Sequence, residues 1–153
     1  MSPKVLLACL ALLLSGCVQP ITFTEASLPQ LPAGQARIYF LRDTVPGDAI
    51  VATEVTLGGK PVGFIQAGGI VYRDLAPGSY EVGASAPHFG PDAAKTVTLS
   101  AGQVAYAGIQ TPMPDDDFTM GNTNYYGPFL AFMEAAQARP IMAHLRFTGA
   151  LGG

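Results

Sequence analysis

Glycine and proline cut the middle of this chain into short pieces, and that constrains its fold more than any other feature. Gly58-Gly59, Ala67-Gly68-Gly69, Ala76-Pro77-Gly78 and Ser100-Ala101-Gly102 recur between Gln35 and Ile109. Glycine admits backbone conformations closed to other residues, and proline continues neither a helix nor a central strand. Helices of several turns have no room between such breaks. Within the pieces the apolar residues alternate. Ala36, Ile38 and Phe40 share one side, and Arg37, Tyr39 and Leu41 share the other. A period of two is the strand period.

The same reading places a second strand on Val51, Thr53, Val55 and Leu57 and a third on Val62 to Gln66. A fourth covers Ile70 to Leu75, and a fifth carries Tyr80, Val82 and Ala84. A sixth is marked by Val97 and Leu99, and a seventh by Val104, Tyr106 and Ile109. Gly58-Gly59 is a two-residue hairpin turn. Ala76-Pro77-Gly78 predicts a type II turn, with Pro77 at its second position and Gly78 at its third. After Gly127, Pro128 suits the first turn of a helix. Phe129, Phe132, Met133 and Ala136 follow at the spacing of one apolar helix face, and Pro140 stops it. That face either covers an open sheet or docks a partner. Ile141, Ala143, Leu145 and Phe147 then alternate as a last strand. The expected fold is mainly β: an antiparallel sandwich of about seven or eight strands with one short C-terminal helix over 128–138.

The chain opens with an address. Lys4 precedes the apolar run Val5 to Leu14, which is too short to span a bilayer core. Leu14-Ser15-Gly16-Cys17 then matches the lipobox of bacterial lipoproteins. The alternative is an ordinary secretory signal with an incidental cysteine. The expected organisation is a signal peptide over 1–16 and a lipidated Cys17 with a flexible tether over 17–34, rich in proline. The sandwich domain follows over 35–148, and 149–153 is a frayed tail. Several acyl chains on Cys17, each adding about 0.8 kcal/mol per buried methylene, would hold the protein on a membrane. Val18 rather than Asp after the cysteine points to the outer membrane, by resemblance to enterobacterial sorting.

Composition narrows the function classes. The net charge is −3, with 8 Lys and Arg against 11 Asp and Glu, and loss of Lys4 would make the chain more acidic still. No nucleic-acid partner is expected of such a chain. Its two cysteines are Cys9 and Cys17. The first would leave with the signal and the second would be consumed by lipid, so neither a disulfide nor a thiolate zinc site is expected.

Candidate chemistry concentrates in the 111–127 loop. Asp115, Asp116 and Asp117 with Asn122 and Asn124 could supply some of the oxygens that calcium requires, although EF-hand spacing is missing and acidic loops are commonly just solvated. Tyr125 and Tyr126 are the tyrosine pair best placed to bind a partner, since function gathers on loops borne by a rigid scaffold. Tyr72, Tyr80 and Tyr106 are further candidates for an aromatic surface, or ordinary sheet residues with wet hydroxyls. His88 and His144 have no nucleophile motif beside them and read as loop and surface histidines. Asp74 and Glu81 flank a strand turn, where exposed charges are ordinary. No catalytic residue, metal or cofactor is assigned.

Three segments carry a resemblance. They are Gly34 to Arg42, Val55 to Gly63 and Leu75 to Val82. Together they resemble uncharacterised bacterial lipoproteins that carry a domain of unknown function related to PEGA-like β-sandwiches. The likeness covers about residues 34 to 110, implies the sandwich fold and carries over no catalytic residue. The function expected is therefore a lipid-anchored envelope lipoprotein acting as a non-catalytic binding or structural module. Its partners would be the membrane, envelope proteins or cell-wall glycan, contacted through loops 43–49, 87–93 and 111–127. The alternative is an envelope hydrolase or a calcium-dependent carbohydrate binder using the 111–127 loop.

Overall fold

A computed structural model describes residues 28–46, 51–86, 93–111 and 127–151. Among these residues nine strands and one helix follow in order: β1 (Ala36–Arg42), β2 (Thr53–Leu57), β3 (Lys60–Ile65), β4 (Gly69–Leu75), β5 (Gly78–Ser85), β6 (Ala93–Leu99), β7 (Val104–Gln110), β8 (Phe129–Met133), α1 (Ala135–Met142) and β9 (Arg146–Ala150). They form two sheets. The larger has the order β8-β7-β1-β4-β9, and the smaller has the order β3-β2-β5-β6. Among the described residues the fold is mainly β with one short C-terminal helix, as the alternation and turn pattern predict.

Two apolar layers hold it together. Between the sheets lie Ile38, Phe40, Val55, Ile65, Val71, Val82, Ala84, Ala107, Ile109 and Leu130. On the outer face of the larger sheet, Tyr39, Leu41, Ile70, Tyr72 and Tyr106 pack under Ala138, Met142 and Leu145. Strand β1 therefore has its two faces in two different cores, and all seven of its residues are buried. This explains why both of its sides read as largely apolar.

The connections between strands follow the predicted breaks. Leu57 pairs with Lys60 across Gly58 and Gly59, whose φ angles of 57° and 72° are the positive values of a type I′ hairpin. Ala76-Pro77 is different from the expected type II turn. Gly78 has no left-handed φ and is already the first residue of β5. The reason is topological: β4 and β5 belong to different sheets, so the link is a crossing and not a hairpin. The Tyr80 hydroxyl clasps it by donating to the Ala76 carbonyl at 2.7 Å.

The C-terminal quarter departs most from expectation. The segment 129–133 is a strand, β8, paired antiparallel with β7 from Gln110↔Phe129 to Tyr106↔Met133. The helix expected over 128–138 starts instead at Ala135 and runs through Pro140 to Met142. Its start is set by Glu134, whose N–H donates to the Gln137 side chain at 3.2 Å. Strand β9 starts at Arg146, so Ile141 and Met142 are helical and not part of a last strand. The tail is also less free than expected. Gly149 pairs with Val71 and Ala150 with Tyr72, and the Leu151 N–H donates to the Tyr72 carbonyl. The strand beyond those expected is β8, which lies in the segment expected to be helical.

Two strand pairs in the larger sheet are parallel, β1 with β7 and β4 with β9. A parallel return needs a crossover. Between β8 at one edge and β9 at the other, that crossover is α1, laid over the sheet's outer face.

Candidate functional site

Strand registers bring the long connections to one end of the sandwich. Leu41 lies beside Gly108, so β1 and β7 finish together, and β8 starts there opposite Gln110. In the smaller sheet Glu54 faces Ser85 and Ala84 faces Ala93, so β2 starts, β5 ends and β6 starts together. Thr53 and Thr111 join the two sets, their hydroxyls 2.7 Å apart and buried between the sheets. The connections after β1, β5 and β7 thus leave from one end. The chain enters β1 at the opposite end, where Ala36 pairs with Leu75.

The loop end is braced from below. Arg42 is fully buried, and its Nη1 donates to the carbonyls of Val51 and Ile65, the latter at 3.3 Å. Asp43 accepts from the Thr44 N–H at 2.8 Å and lies 2.9 Å from His144 Nε2. An open cleft of about 230 Å³ sits here, lined by Leu41, Asp43, Ile109, Phe129, Met133 and Ile141 among others. Phe129 is exposed at its rim.

The expected site residues fall unevenly with respect to this end. Asp115, Asp116, Asp117, Asn122, Asn124, Tyr125, Tyr126, His88 and Cys17 lie outside the described residues. Tyr72 and Tyr106 do not form an exposed aromatic surface. They lie in the core under α1, where Tyr39 stacks on Tyr106 at 5.6 Å and meets Tyr72 edge-on at 6.1 Å. His144 is exposed as expected, but in the turn after α1 and not on a strand. Among the described residues no group of three or more His, Cys, Asp and Glu could hold a metal ion.

Asp74 is more than an ordinary exposed charge. It faces Arg37 across the β1–β4 pair, accepting from Nε at 2.6 Å and from Nη2 at 2.8 Å. Arg37 is almost wholly buried, donates from Nη1 to the Pro29 carbonyl and lies 4.1 Å over the Tyr72 ring. The hydrogen bonds that Arg37 donates to Asp74 raise the Arg37 pKa well above the ordinary arginine value, against the opposing effect of burial. The contact also fastens residue 29 to the domain, and Leu28 packs on the α1 core. The expected tether over 17–34 is therefore partly docked at its end.

Neither composition nor spacing marks Arg37, Arg42 or Arg73 as a site residue. Arg37 and Arg42 lie near the two ends of a strand apolar on both faces, and both are buried with it.

No family model, curated protein or solved structure matches the chain. Among the described residues no helix is long and apolar enough to cross a membrane.

Proposed function

We propose that the chain is a bacterial envelope lipoprotein, held by acyl chains on Cys17 at the outer membrane, whose sandwich is a non-catalytic binding or structural module. The observation that carries the reading is polarity. The connections after β1, β5 and β7 leave one end of the sandwich, and the chain enters β1 at the other. A domain tethered through residues 17–34 would then offer the loops containing 43–49, 87–93 and 111–127 away from the membrane. A two-sheet scaffold with a second core under α1 suits that task, because rigid elements hold variable loops in place. Envelope proteins or cell-wall glycan are the partners of fitting location.

Two measurements test the reading. Cys17→Ala should abolish incorporation of labelled palmitate and release the chain from the membrane fraction. In-cell crosslinking should capture one envelope partner that a Tyr125→Ala, Tyr126→Ala double variant loses. Turnover of a cell-wall substrate that one substitution abolishes would overturn the non-catalytic reading.

A further inference from the structure

A second cleft, of about 490 Å³, opens between the sheets at the end where the chain enters β1. Its walls are apolar, from Leu57, Val62 and Leu75, with the Tyr80 side chain beside them. Two cations, Lys60 and Arg73, line the same space, and no Asp or Glu does. In an acidic chain with 8 Lys and Arg, placing two of them together without a carboxylate calls for a reason.

Arg73 is the more unusual. Along β4 alternate residues face the inter-sheet core, as Val71 and Leu75 do, and Arg73 lies between them. The pattern calls for an apolar residue at this position. The Arg73 Nη1 is buried and has no hydrogen-bond partner. An orphaned buried donor is costly, more so on a charged group. By contrast, Arg37, on the opposite face of the same sheet, has a bidentate carboxylate and a carbonyl. The planar guanidinium fork matches a carboxylate or phosphate, and lysine adds a mobile point charge.

We propose that this cleft binds an anionic amphiphile, its carboxylate or phosphate held by Arg73 and Lys60 and its apolar chain lying along Leu57, Val62 and Leu75. The anion supplies the partner that Arg73 Nη1 lacks and offsets the positive charge that Arg73 and Lys60 bring to the cleft. The apolar walls exclude a bare inorganic anion as the preferred ligand. The site goes beyond the anchoring proposal and stands whether or not Cys17 carries lipid.

Calorimetric titration of the full chain, without detergent, tests it. The probes are dodecanoate for a free fatty acid, lysophosphatidylglycerol for an anionic membrane lipid, lysophosphatidylcholine as its zwitterionic counterpart, and inorganic phosphate. Dodecanoate or lysophosphatidylglycerol should bind one to one, and which of them binds more tightly distinguishes the two sources. Arg73→Leu should weaken that binding about tenfold or more, the scale of one charge-assisted hydrogen bond. Its melting temperature should hold or rise, since leucine suits an inner-face position. Should Arg73→Leu fail to fold, Lys60→Gln, at an exposed residue, decides in its place. Failure of both anionic amphiphiles to bind overturns the proposal. So does equal affinity for lysophosphatidylcholine or for inorganic phosphate, or unchanged affinity in the deciding variant.

Discussion

Three arginines on β1 and β4 show how one residue type takes different structural roles. Arg37 and Arg42 lie near the two ends of a strand with no exposed residue, and each is fastened by named acceptors. Arg37 carries the larger consequence. Arg37→Met leaves the Asp74 carboxylate half-buried without its fork and should cost about 2–3 kcal/mol in urea unfolding, below the range for a fully buried pair because Asp74 is partly exposed. Arg37→Lys should recover only part of this, since an ammonium cannot make two parallel bonds. The pH dependence has a definite sign. A raised basic pKa contributes stability that is complete below the unfolded-state value and lost only as pH rises through the folded-state value. For Arg37 both lie at strongly alkaline pH. Its contribution should thus stay constant from about pH 5 to 10, so the wild type and Arg37→Met should differ by the same amount across that window.

At the scale of elements, β8 and α1 separate two readings of the same residues. A helix over 128–138 would bury Phe129, Phe132 and Met133 together. In β8, Leu130 enters the inter-sheet core while Phe129 is exposed. Leu130→Ala should cost about 2–4 kcal/mol and Phe129→Ser well under 1 kcal/mol, measured by chemical denaturation. Equal losses would favour the helix. Met142→Ala, which opens the core under α1, should cost about 2–4 kcal/mol in the same assay. The misplacement has a physical origin. Over five residues, periods of 2 and 3.6 share most of their apolar positions, so a short apolar run does not distinguish them. The Glu134-Ala135-Ala136-Gln137 capping pattern was the available signal for the true start.

The whole molecule is built from pairings remote in sequence. Strand β1 lies between β4 and β7, and β4 between β1 and β9. Such topologies close large loops before their contacts are rewarded, so refolding should take milliseconds to seconds in stopped-flow rather than microseconds. The polarity of the sandwich has its own test. On vesicles, a fluorophore at Gly59 in the anchored protein should be quenched by lipid-borne quenchers more strongly than one at Thr44. The reverse order would mean that the loop end faces the membrane.

The amino-acid sequence by itself determined seven of the strands, the hairpin at Gly58-Gly59 and the two-sheet class, because turn chemistry and alternation are local. It also carries Leu14-Ser15-Gly16-Cys17, the local pattern on which the proposal of lipidation rests. Only the tertiary structure decided that β1 is buried on both faces, that 129–133 pairs with β7, and that Arg37 meets Asp74 while Arg73 faces a cleft with Lys60. Those outcomes depend on which strands become neighbours. A period of two assigns residues to sides, but it does not say what covers each side.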